Sequence, residues 1–161
     1  MFARRGVSSN SMMPTTGTDP ARIVVVDDSP ADVLLLRHAL NQNLAAYELE
    51  VLHDGAEALA FIAAQRQFSP EPAPCVFVLD LHLPKHDGLA VLAALKKEPA
   101  LDHIRVVALS SFASPQDEAE IHSLGVRLFC EKPGDLDGWI ALASDILKIC
   151  REPLNSEMLT V

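Results

Sequence analysis

The chain has 161 residues, with 13 Lys and Arg against 22 Asp and Glu and a formal net charge of −9. That length suits one domain with a substantial core. The acidic balance excludes a general nucleic-acid binder, which needs a basic face to replace phosphate counterions, and disfavours an anionic membrane surface, so neither DNA nor membrane is expected as a partner.

Residues 1–20 are rich in Ser, Thr, Met and Pro without periodicity and are expected to form a disordered tail. The opening "MFARRGVSSNSMMPTTGTDPA" has no apolar centre that would make it a signal peptide, and no apolar stretch approaches the roughly 20 residues of a membrane span. The expected location is cytoplasmic. Then "RIVVVDD" is a short apolar run ending in two carboxylates. "SPADVLLLRHALNQN" follows with helix-start chemistry: Ser29 as cap, Pro30 in the first helical position, Asp32 in the first turn. "YELEVLHD" is a second strand candidate, and "DGAEALAFIAAQRQ" a helix whose Asp54 and Glu57 have capping-box spacing.

A proline-punctuated loop, "FSPEPAP", leads to "VFVLD", which reads as a strand buried on both faces with Asp80 at its end. A carboxylate there loses much of its hydration unless something compensates. "GLAVLAALKKEP" is the next helix, "IRVVALSS" the fourth strand, and "SPQDEAEIHSLG" a helix that repeats the Ser-Pro start and stops at Gly125. "VRLFCEKP" is a fifth strand and "DLDGWIALASDILKIC" a last amphipathic helix, whose stripe of Trp139, Ile140, Leu142, Ala143, Ile146 and Leu147 is expected mostly in the core. The domain is expected to span residues 21–149, with 150–161 a short C-terminal tail. Strands alternating with helices predict an α/β fold: a doubly wound, five-stranded parallel sheet with helices on both faces.

Ligands on such sheets bind outside the carboxyl ends of the strands. The first strand ends in Asp27 and Asp28, the third in Asp80, the fourth in Ser110, and the fifth runs into Lys132. Singly, these residues read as helix caps, a turn serine and a solvated lysine. Folding brings them to one edge, where clustered carboxylates repel unless a cation intervenes. Mg²⁺ binds through one or two carboxylates plus water and a phosphate, and the lysine adds a point charge for another anionic oxygen. The set is suited to hold a phosphoryl group beside Mg²⁺.

"VVVDDSPAD", "VLDLHLPKHDG", "ALSS" and "EKP", in this order, resemble the receiver domain of bacterial response regulators, of the stand-alone chemotaxis and phytochrome-associated type. The resemblance covers about residues 21 to 149 and implies the flavodoxin-like receiver fold. It implies Asp80 as phosphoacceptor, served by a sensor histidine kinase or a histidine phosphotransfer protein. Asp28 and Asp80 would ligate Mg²⁺ with the backbone carbonyl of His82, and Asp27 would act through water. Ser110 and Lys132 would assist catalysis, and Ser110 with Phe129 would form the switch. His82 and Phe112 are bulky side chains beside the expected path of hydrolytic water. A downstream protein target is implied, and a homodimer is admitted. The rival is an aspartyl-nucleophile phosphotransferase or phosphatase, but such enzymes carry a second carboxylate two residues after the nucleophile, where this chain has His82. Apart from its own phosphorylation and dephosphorylation, the protein is not expected to be an enzyme.

Three readings remain. Cys75, Cys130 and Cys150 are odd in number, widely spaced and without a CxxC pair, which predicts reduced, structural thiols. His82 and His86 have zinc-helix spacing, but Pro84 between them breaks the helix, and His38, His53, His103 and His122 are expected in solvent. In the first helix Val33, Leu36, Ala39 and Leu40 would face the sheet, leaving Ala31, Leu34, Leu35 and His38 as an outward stripe. In relatives of this type the first helix docks on the kinase, so that stripe is the expected docking face.

Overall fold

The computed structural model describes residues 19–67, 74–84, 86–112 and 114–153. Five strands and five helices alternate: β1 (Ala21–Val26), α1 (Pro30–Asn41), β2 (Tyr47–Leu52), α2 (Gly55–Gln67), β3 (Val76–Asp80), α3 (Gly88–Lys97), β4 (Arg105–Ser110), α4 (Pro115–Ser123), β5 (Leu128–Glu131) and α5 (Leu136–Cys150). A 3-10 turn, Pro99–Leu101, follows α3 and is not expected from the sequence. All neighbouring strands run parallel in the order β2-β1-β3-β4-β5. The predicted fold class is the one observed. Most of the expected tail and of the "FSPEPAP" loop lies outside the described residues.

Each strand residue points to one of two cores, because side chains alternate across a sheet. Val24, Val26, Phe77, Leu79, Val106 and Ala108 pack with α2 and α3. Ile23, Val25, Val76, Val78, Val107 and Leu109 pack with α1 and α5. This is why β1, β3 and β4 read as unbroken apolar runs. β2 lies at the sheet edge, and its burial alternates as its sequence does.

Local chemistry starts the helices where the sequence placed them. Ser29 Oγ accepts from Asp32 N–H at 3.2 Å, and Ser114 and Asp117 form a reciprocal capping box. α4 is followed by Gly125 at φ 77°, a left-handed conformation that glycine adopts without a Cβ penalty. Most of the stripe on α5 is buried as expected, with Ile140 half-buried at its margin.

Three expectations need correction. Cys75 and Cys150 are joined by a disulfide across 75 residues of sequence, and only Cys130 is a free thiol. The start of β3 and the end of α5 meet at one sheet edge, a contact that cysteine spacing cannot show. His103 is half-buried rather than solvated. On α1, Leu36, Ala39 and Leu40 are buried, Val33 only half-buried, and Leu35 packs against the core instead of facing solvent. Helix α1 is covered by α5 as well as by the sheet, so its buried arc is wider than one face.

Candidate functional site

In an open parallel sheet a crevice forms where successive connections leave on opposite faces. Here β1 connects outward to β2 and the chain returns to β3 on the other side, so β1 and β3 flank that point. Asp27 and Asp28 follow β1, and Asp80 ends β3, beside Val26↔Leu79 and Asp80↔Leu109 in the register. Lys132 follows β5, and its N–H donates to the Ser110 carbonyl at 2.8 Å. The observed β5 is shorter than the expected strand, which leaves Lys132 just beyond its end.

Lys132 Nζ lies 2.9 Å from Asp27 Oδ2, 2.7 Å from Asp32 Oδ2 and 3.1 Å from Asp80 Oδ2. Asp27 Oδ1 accepts from Ser29 N–H at 2.8 Å, and Asp80 Oδ1 from His82 N–H at 2.9 Å. Asp80 is only 3% exposed. Burial pushes the Asp27 carboxyl above its ordinary value, against the Ser29 N–H and Lys132, which pull it down. Burial alone would lower the Lys132 pKa, but Asp32, Asp27 and Asp80 outweigh that, and the ammonium is held above the ordinary lysine range.

Asp32 is the site residue that the sequence reading missed. An acid in a helix's first turn has a sufficient local reason in the helix dipole. Its partner Lys132 is 100 residues away. Its spacing of four from Asp28, which puts both near one end of the crevice, was the available signal.

The loop after β3 is shaped by Gly88. A Cβ there would stand 2.4 Å from Leu81 Cα and 2.7 Å from the Asp80 carbonyl oxygen, so only glycine lets the chain close behind the carboxylate. Ser110 is buried, and its hydroxyl donates to the Phe112 carbonyl and accepts from the Phe112 N–H at 3.2 Å. Its Oγ also lies 3.4 Å from His82 Nδ1. The rings of His82 and Phe112 stack with centroids 5.0 Å apart, one wall of the crevice mouth. Phe129 is half-buried against the α2–α3 core, edge-on to His122.

Ligand oxygens of Asp27, Asp28 and Asp80 lie within 4.8 Å of one another. Lys132 pairs with Asp27, Asp32 and Asp80, and Asp28 adds a fourth, exposed carboxylate beside them. Hard oxygen donors with surplus negative charge fit a divalent cation that prefers oxygen.

The family model described as the response regulator receiver domain matches residues 23–143. The chain belongs to that family. This receiver is 36% identical over 124 residues to the response regulator Rcp1 of Synechocystis sp. (strain ATCC 27184 / PCC 6803 / Kazusa), a match covering 77% of this chain and 84% of Rcp1. The structure of the Mn(2+)-bound form of Rcp1 is similar, with a TM-score of 0.70 and 32% identity over 88% of this chain and 97% of that one. So is the phosphorylated cyanobacterial phytochrome response regulator RcpA, with a TM-score of 0.72 and 31% identity over 81% and 93%. A longer relative in the same strain, the DNA-binding dual master transcriptional regulator RpaA, is spanned for 49% of its length at 30% identity. These relationships place the receiver among two-component response regulators, whose partners are histidine kinases, and give the hydrolase alternative no support.

Proposed function

We propose that this receiver takes a phosphoryl group onto Asp80 from a phosphohistidine of a sensor histidine kinase or histidine phosphotransfer protein, with Mg²⁺ as cofactor. The observation that carries the reading is Lys132 Nζ standing between Asp27, Asp32 and Asp80 beyond the ends of β1 and β3. An Asp80 oxygen attacks phosphorus as the P–N bond breaks, and the electron pair leaves with the imidazole, which takes up a proton. Asp28, Asp80 and the His82 carbonyl would hold Mg²⁺, with Asp27 acting through water, and the bound ion would supply charge that offsets the phosphoryl oxygens. Lys132 supplies the protein's own cation for another of those oxygens. Ser110 then turns from the Phe112 loop toward the phosphoryl group, and Phe129 moves inward, presenting a changed surface to a downstream protein target or a second copy of the chain. The cytoplasmic location belongs to the same proposal; no helix among the described residues is long and apolar enough to cross a membrane.

The decisive test is intact mass after incubation with Mg²⁺ and a small phosphodonor. The wild type should gain one phosphate and Asp80→Ala none. An adduct that persists at wild-type level in Asp80→Ala overturns the assignment.

Mg²⁺ binding should depend on Asp28 more than on Asp27. Both Asp27 oxygens are engaged, by the Ser29 N–H and Lys132, whereas Asp28 is exposed at the mouth. Calorimetry should show affinity falling by at least about tenfold in Asp28→Ala and by less in Asp27→Ala. Wild-type affinity in Asp28→Ala contradicts the ligand roles.

A further inference from the structure

At the sheet edge opposite the crevice, three attachments converge on one short segment. Cys75, just before β3, is disulfide-bonded to Cys150, the last residue of α5, with their Cα atoms 5.3 Å apart. Two residues further on, the buried Arg105 side chain at the start of β4 donates from one terminal nitrogen to the carbonyls of Glu152, at 2.7 Å, and Pro153, at 2.8 Å. Arg127 grips the Glu152 carboxylate as a fork, at 3.0 Å through Nε and 2.5 Å through a terminal nitrogen. The Arg105 N–H also donates to the Cys75 carbonyl at 3.2 Å, so the disulfide and the buried guanidinium are adjacent.

We propose that Cys75 and Cys150 form a thiol–disulfide exchange site that latches Arg151 to Pro153 onto this edge. Both cysteines are half-buried at the margin of the α1–α5 core, within reach of a small thiol or disulfide. In the dithiol form the arginines hold the segment alone, by bonds that break and re-form in local openings. In the disulfide form a covalent bond fixes the residue directly before it. Closing the latch forms one S–S bond and releases two thiol protons. The two electrons pass to a low-molecular-weight disulfide, which leaves as two thiols; a dithiol reductant runs the step backwards. β3 separates Cys75 from Asp80 by five residues, about 16 Å of strand, so the latch acts at the far end from the phosphoryl site.

The test uses the full chain after equilibration with oxidised glutathione or with dithiothreitol, then acid quench, denaturation and alkylation. One thiol, Cys130, should be alkylated after oxidation and three after reduction, with a Cys75–Cys150 linked peptide in the oxidised digest. Three thiols in both states, or a linked peptide containing Cys130, overturns the proposal. Hydrogen exchange of the Arg151 and Glu152 amides, which donate to Lys148 and Ile149 carbonyls, should quicken about tenfold or more on reduction. Cys150→Ser should exchange at the fast rate under both conditions. Equal exchange in the two wild-type states, or a variant that still responds to reductant, refutes the latch. Phosphate uptake from a small donor should be the same in both redox states; its failure in both counts against the Asp80 assignment and leaves the latch result to stand.

Discussion

Replacing Lys132 with methionine should slow phosphorylation of Asp80 by about a hundredfold or more, the loss typical when a preorganised charge at the reacting group is removed. The ammonium touches the proposed nucleophile itself, at 3.1 Å from Asp80 Oδ2. It is also the one cation that Asp27, Asp32 and Asp80 share, so the variant should change in stability as well as rate. In the wild type the lysine pKa is raised, so its contribution is fully present below the ordinary lysine value and is lost as pH rises through the raised one. In the variant that contribution is gone at every pH. The Asp27 carboxyl, already pushed up by burial, loses its cationic partner and rises further. A carboxyl with a raised native pKa costs stability above its unfolded pKa, because the folded state then favours the proton that solution withholds. The melting temperature of Lys132→Met should therefore fall more steeply than that of the wild type as pH rises from the ordinary carboxylate value through the raised one, and Mg²⁺ should recover part of the difference. Phosphorylation within about threefold of wild type would show that the lysine is a structural counter-ion and has no part in transfer.

The strands that carry the site were legible because their physics is one-dimensional. β1 and β3 are buried on both faces, so each is an apolar run, and a carboxylate at the end of such a run stands out wherever the helices lie. Parallel pairing then puts Asp27, Asp28, Asp80, Ser110 and Lys132 on one edge without further information. What stayed hidden depended on contacts between distant elements, each with an adequate local reading of its own. Asp32 looked like a first-turn acid. Cys75 and Cys150 looked like small apolar side chains at the margins of apolar runs. Leu35 lay on the outward arc of a helix taken to touch only the sheet, but α5 lies along α1 and covers that residue too.

That difference at Leu35 decides how the docking face should be tested. The expected stripe of Ala31, Leu34, Leu35 and His38 reduces to Ala31, Leu34 and His38 as exposed residues, with Leu34 at 66% exposure. A leucine held in water has no folding reason to be there, although single exposed leucines are ordinary. More telling is its company. Leu136 at the start of α5 and Phe112 after β4 are also large exposed apolar side chains, and α1, α5 and the β4–α4 loop all begin at the crevice edge. On the proposed function a phosphohistidine must reach Asp80 through that mouth, so an apolar rim suits a helical partner carrying it. Leu34→Glu should therefore reduce phosphotransfer from the cognate kinase by about ten- to a hundredfold, the range for losing a central contact. Phosphorylation by a small donor, which needs no docking, should stay within about twofold of wild type. Leu35→Glu is the wrong probe, because it forces a carboxylate against the α1–α5 core and should lower the melting temperature and slow both donors together. If Leu34→Glu slows both donors equally, α1 contributes only to folding and the kinase approaches by another face.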